Sequence, residues 1–139
     1  MTAHFSRRLF LPFAGLSMIA LMRVSAHAET PTVDGEPITE DDIVQRTRLL
    51  SMSTHKLSER QDVINLLTDE KSRVRDAEKY GVGPTNEDVD RAYLEMCSRM
   101  HITPEQLTKS LEGQGVHLDT LRQRIKADIA RVNLARLRR

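Results

Sequence analysis

The chain has 139 residues, with 21 basic against 20 acidic side chains and a single cysteine, which is enough for one small domain and excludes an intrachain disulfide. Arg7, Arg8 and Arg23 precede every acidic residue, and without that leading stretch 18 basic residues face 20 acidic ones, formally −2. That balance withdraws compositional support from a nucleic-acid partner, and with no Trp and no Phe beyond Phe13 the remaining chain must build an aliphatic core around Tyr80 and Tyr93.

Residues 1–28 have the pattern of an export signal. Arg7 and Arg8 form a basic start, and Leu9 to Met22 is apolar but too short to span a bilayer comfortably. Ala26-His27-Ala28 supplies a small-x-small cleavage pattern, which makes Glu29 the first mature residue. The alternative is an uncleaved anchor. Ser6-Arg7-Arg8-Leu9-Phe10-Leu11 is similar to a twin-arginine export motif, with Pro12 where Lys is usual, and ordinary Sec export is the other route. Either route implies a periplasmic protein with no stable membrane insertion once the signal is removed. The expected division is therefore a signal peptide at 1–28 and one helical domain at 29–139.

The domain reads as all-α, a small bundle of about five helices behind one short extended segment at Thr32–Asp34. Asp34-Gly35 is a turn dipeptide, because Gly accepts positive φ and Asp can bond the backbone ahead of it. Pro37 keeps Glu36 out of helical geometry, so the first helix starts after it. Thr39 caps it, Asp42 completes a capping box, and Ile38 and Ile43 have the spacing of a hydrophobic staple. This helix is expected over Glu40–Met52, with Ile43, Thr47 and Leu50 on one face.

Ser58 and Gln61 give the next capping box, opening a long helix striped by Val63, Leu67, Val74 and Ala77. Glu70 falls within that stripe, to be satisfied by solvent at the edge or by a basic partner. Gly81 suits a left-handed helix end, and Gly83-Pro84 prevents continuation. The third helix starts at Thr85 with Asp88 three residues on, and presents Val89, Tyr93, Met96 and Met100. Cys97 shares that stripe, so burial is the favoured reading over pairing with another chain.

Thr103-Pro104-Glu105-Gln106 combines an N-cap, Pro at the first helical position and Gln in the capping box, with Ile102 and Leu107 as staple. Leu107 and Leu111 face inward, and Gly113 or Gly115 closes this helix. The last helix begins near His117–Asp119 and carries Leu118, Leu121, Ile125, Ile129 and Val132. Arg131, Arg136, Arg138 and Arg139 at its end suit the negative pole of the helix dipole; an anionic partner is the alternative use for them.

Nothing in this pattern assembles a catalytic or cofactor site. His55, His101 and His117 fall in three different inter-helix regions, none paired at i+4 with a second ligand as a helical metal site requires. Phosphate loops, nucleophile elbows and Cys-x-x-Cys pairs do not occur. Carboxylates such as Asp41-Asp42 and Glu87-Asp88 sit in first helical turns, where capping and the helix dipole account for them. The expectation is no metal, no cofactor and no catalysis.

Several segments, taken in order, resemble the N-terminal domain of the SurA family of periplasmic chaperones and peptidyl-prolyl isomerases. They are Val33-Asp34-Gly35-Glu36-Pro37-Ile38-Thr39, Leu66-Leu67-Thr68-Asp69-Glu70-Lys71, Ala77-Glu78-Lys79-Tyr80-Gly81, Asn86-Glu87-Asp88-Val89-Asp90, Thr103-Pro104-Glu105-Gln106-Leu107, Leu111-Glu112-Gly113-Gln114-Gly115 and Asp119-Thr120-Leu121-Arg122-Gln123-Arg124-Ile125-Lys126. The resemblance covers the mature region and implies binding of unfolded outer-membrane polypeptides through an apolar crevice. The parvulin isomerase domains of that family have no counterpart in these residues, so isomerase activity is not expected.

In that family a later segment returns to complete the helical core. Without it, the extended segment and one flank of the bundle would be uncovered. The apolar stripes of the first, second and fifth helices are expected to line the open flank as a peptide-binding surface: Ile43, Leu50, Val63, Leu67, Leu121, Ile125 and Ile129. The leading functional expectation is a chaperone-like holder of unfolded chains, with Met52, Met96 and Met100 lending the groove adaptability. The competing expectations are an interaction protein that closes the same surface by dimerising or docking on a partner, and an isomerase fragment that works with a separate catalytic domain.

Overall fold

The structure, a computed structural model, describes residues 30–33 and 35–139; the signal-peptide assignment at 1–28 and the turn residue Asp34 lie outside them. Two strands of two residues each, β1 (Thr32–Val33) and β2 (Glu36–Pro37), lead into five helices: α1 (Glu40–Thr54), α2 (Arg60–Lys79), α3 (Asn86–Met100), α4 (Pro104–Gly113) and α5 (Leu118–Leu137). The described chain is thus mostly helical, as its cap-and-stripe pattern predicts.

The extended segment is not unpartnered. β1 and β2 form an antiparallel hairpin with Thr32 opposite Pro37 and Val33 opposite Glu36, and the Ile38 N–H donates to the Pro31 carbonyl at 2.7 Å. Gly35 takes φ +86 at the turn, a conformation that Gly adopts without steric cost. The chain therefore supplies its own second strand where the sequence reading expected an unpaired edge.

Helix starts follow the local chemistry. Thr39, Thr85 and Thr103 each accept a bond from the backbone N–H three residues on, and the side chains of Asp42, Asp88 and Gln106 each accept one from the cap residue's own N–H. The start of α2 differs from expectation. Its N-cap is Glu59, in extended geometry and without a side-chain cap bond, so Ser58 and Gln61 form no box. The helix α1 runs two residues beyond the expected Met52 and ends on His55 in left-handed geometry.

Two apolar clusters form the interior. The larger joins Leu49 of α1 to residues of α3, α4 and α5, among them Tyr93, Cys97, Leu111, Leu121 and Ile125. The smaller joins Val33 and Ile38 of the hairpin region to Ile43, Val63 and Leu67. Both staple pairs, Ile38 with Ile43 and Ile102 with Leu107, fall within these clusters. Helices α2 and α5 pack on each other, and their buried Ala77, Ala127 and Ala130 suit close approach.

The buried stripe of α1 is Ile43, Gln45, Arg46 and Leu49, whereas Thr47 and Leu50 are only half-buried. Of the expected stripe Ile43 is buried, while Gln45, Arg46 and Leu49 take the inward places expected for Thr47 and Leu50. Cys97 is buried, as its place on the third stripe predicts, while Met100 is exposed rather than inward-facing.

Candidate functional site

Of the seven residues expected to line an open apolar surface, five are core. Ile43, Val63 and Leu67 belong to the hairpin-side cluster, and Leu121 and Ile125 to the larger one. Leu50 and Ile129 are half-buried and packed against those clusters. The physical reason is simple: a helical apolar stripe is the signal of a buried face, and the bundle closes over these stripes. The proposed lining is therefore corrected. Among the described residues the structure offers two concavities, each with a mixed lining of charged and apolar side chains.

The first, a cleft of about 630 Å³, lies where the hairpin meets α1, α2 and α5, with Leu67, Val74 and Ala127 among its lining. This is the set of helices expected to carry the greasy flank, yet its walls are charged and largely paired. Lys71 Nζ donates to Glu36 Oε1 at 3.0 Å, Arg75 lies 3.6 Å from the other Glu36 oxygen, and Lys126 Nζ donates to Glu78 at 3.2 Å. Lys71 and Arg75 hold the Glu36 carboxyl below its ordinary range. These pairs brace the hairpin and α5 to α2.

At the base of that cleft Arg46 and Glu70 form an ion pair, with side-chain exposures of 2% and 13%. Glu70 thus finds the basic partner that its place in an apolar stripe called for. Burial pushes its carboxyl from 4.5 up to about 7, against the opposing pull of Arg46, while Asp128 adds to the rise and Arg124 offsets it. Burial likewise weakens the hold of Arg46 on its proton. Among the described residues, Nε and Nη1 of Arg46 are buried without a hydrogen-bond partner.

Gln45, the neighbouring buried polar residue, is bonded through both ends of its amide. Its Nε2 donates to the Gly115 carbonyl at 3.1 Å, and its Oε1 accepts from the His117 N–H at 2.8 Å and from Thr120 Oγ1 at 3.4 Å. Arg48 Nη1 donates to the same Gly115 carbonyl at 2.9 Å. Gly115 itself has φ +69, and an added Cβ would come within 2.8 Å of Arg48. These bonds fasten α1 to the turn between α4 and α5.

The second concavity, a groove of about 520 Å³, runs between α3 and α5. Ala92, Met96, Ile125, Ile129 and Val132 form its apolar part. Ile125 is buried, Ala92, Met96 and Ile129 are half-buried, and Val132 is 41% exposed. Charged residues of both signs rim it, including Glu95 and Arg99 on α3 and Asp128 and Arg136 on α5. Of the expected surface residues, Leu67 lines the cleft shared by α1, α2 and α5, and Ile125 and Ile129 line this groove in company with α3. Met96 lies there as well, while Met52 packs against the core.

The three described histidines lie at helix termini: His55 and His101 follow α1 and α3 with φ 53 and 55, and His117 precedes α5. Among the described residues no group of three or more His, Cys, Asp and Glu side chains is placed to hold a metal ion, and no helix is long and apolar enough to cross a membrane. Compared with known family models, characterised proteins and solved structures, the chain matches none of them.

Proposed function

We propose that this chain is an exported, chaperone-like module that holds segments of unfolded polypeptide, of the kind outer-membrane proteins present, in the groove between α3 and α5. The observation that carries this reading is the groove's makeup: half-open Met96, Ile129 and Val132 between charged walls. An apolar floor offers non-directional affinity for any greasy segment, and the unbranched thioether of Met96 adapts to different side chains. The charged rim keeps the empty groove wettable. The resemblance of the cap-and-helix succession to the SurA N-terminal domain supports the same role and a periplasmic setting. Binding of this kind needs no metal, nucleotide or proline-isomerase chemistry.

Light scattering from an unfolded β-barrel client tests the proposal. The mature protein at stoichiometric concentration should suppress aggregation, and Val132→Glu should lose that effect while keeping its helical circular dichroism, because Val132 is partly in solvent already. Unsuppressed aggregation, together with a concentration-dependent dimer in sedimentation, would instead favour an interaction protein that closes the groove with a second copy.

A further inference from the structure

We propose that the end of α5, residues 131–139, docks the protein on an anionic lipid surface, whatever the α3–α5 groove holds. The first observation is how charge is divided along the chain. Residues 29–130 carry 14 basic side chains against 20 acidic ones, formally −6, whereas residues 131–139 carry four arginines and no acidic residue. The helix dipole favours cations in a final turn, which accounts for Arg136 there but not for this division. The second observation is that this end stands clear of the bundle. Asn133 Nδ2 donates to the Val82 carbonyl at 3.0 Å, and beyond it Leu134 is half-buried while Ala135 to Arg139 are all exposed. Arg131 has the exposed Asp128 at 3.9 Å. Among the described residues Arg136, Arg138 and Arg139 have no acidic side chain in ion-pair range. Their counter-charge must come from outside the domain.

The third observation selects lipid among polyanions. Val132 and Leu137, interleaved with the arginines, are 41% and 54% exposed, and residues 131–139 hold no aromatic side chain to stack on bases. Exposed apolar groups among arginines suit a headgroup region. Leu137 gains there by leaving water, and the arginine stems lie along apolar surface while their guanidinium groups meet phosphate. A flat surface also touches this tip alone, and at physiological salt the acidic remainder more than about 8 Å behind it is screened. A nucleic acid lying along the domain would meet that acidic charge directly.

The core clusters draw only on residues from Val33 onward, so the protein without residues 1–28 is the one to test. Cosedimentation would use vesicles of phosphatidylcholine alone and of phosphatidylcholine mixed with phosphatidylglycerol. At low salt the mixed vesicles should bind roughly a hundredfold tighter, as four arginines at a charged surface allow, and the advantage should vanish near ~0.5 M salt. Arg138→Gln/Arg139→Gln should weaken that binding roughly thirtyfold. Leu137→Gln should weaken it about fivefold and leave its salt dependence as it was. All three positions are exposed, so circular dichroism should not change in either variant. A loss confined to the arginine variant, or equal affinity for a single-stranded oligonucleotide, would show plain polyanion attraction and overturn the lipid assignment. Equal binding to both kinds of vesicle, or binding to neither, would overturn the docking itself.

Discussion

The two ends of α1 are closed by different means. Beyond Leu49 the larger cluster is apolar throughout, apart from Tyr93, whose hydroxyl donates to the Pro104 carbonyl at 3.1 Å. Two of its helices, α3 and α4, are started by local capping boxes at Thr85 and Thr103. Around Ile43 the cluster is smaller, the strands are two residues long, and closure depends on distant charge pairs, with Arg46 and Glu70 buried at the centre. A buried ion pair is weak evidence of stability, because desolvating two charges can outweigh their attraction. The first end should be stable through packing, and the second should be specific in its pairing while contributing less.

The sharpest way to break this contrast is to strip one partner from the buried pair. Glu70→Ala leaves Arg46 charged and unpaired, and should lower unfolding free energy by about 3–5 kcal/mol. Replacing both, as Arg46→Met/Glu70→Leu, should restore the loss or exceed the parent by about 1–4 kcal/mol. Urea denaturation of the three proteins reads both outcomes. A double variant as weak as Glu70→Ala would show that the pair is a net stabiliser after all. In the apolar cluster, Leu111→Ala should cost about 3 kcal/mol, the usual range for a cavity of that size, with no second-site replacement able to cancel it.

Gly115→Ala is expected to cost about 1–2 kcal/mol, from its left-handed backbone and the close approach of Arg48, measured as a lowered melting temperature. The gentlest probe is pH. The Glu70 carboxyl is raised to about 7 in the folded chain against 4.5 ordinarily, so the native state holds this proton more tightly than the unfolded one. Its contribution to stability should be fully present below about 4.5 and fade as pH rises through 7. Glu70→Gln should flatten that slope between pH 5 and 8. The cap carboxyl of Asp88 behaves oppositely: bonds from Thr85 hold it below 3.8, so its contribution is lost only as pH falls through that lower range.

What could be read from sequence followed the reach of the interactions. Thr39 with Asp42, Thr85 with Asp88 and Thr103 with Gln106 are three residues apart, and all three boxes form. Ser58 and Gln61 have the same spacing and do not, because the chain stays extended through Glu59. The burial of Gln45 and Arg46 escaped a hydrophobic stripe analysis, since their partners lie 70 and 24 residues away and polar side chains carry no burial signal of their own. Glu70 did carry one, as a charge inside an apolar stripe. The site residues misled for the converse reason: stripes report what the fold hides. The groove that remains open combines the edges of two stripes on α3 and α5, a juxtaposition no single helix displays.

Tyr93 has a practical consequence. The chain has two tyrosines and no tryptophan, and Tyr80 is 64% exposed while Tyr93 is 6% exposed. The molecule therefore carries one dry and one wet phenol ring, and second-derivative ultraviolet absorption would report the opening of the larger cluster from a single native chromophore. With Tyr80→Phe removing the exposed ring, the collapse of the larger cluster could be timed by itself, without a foreign label.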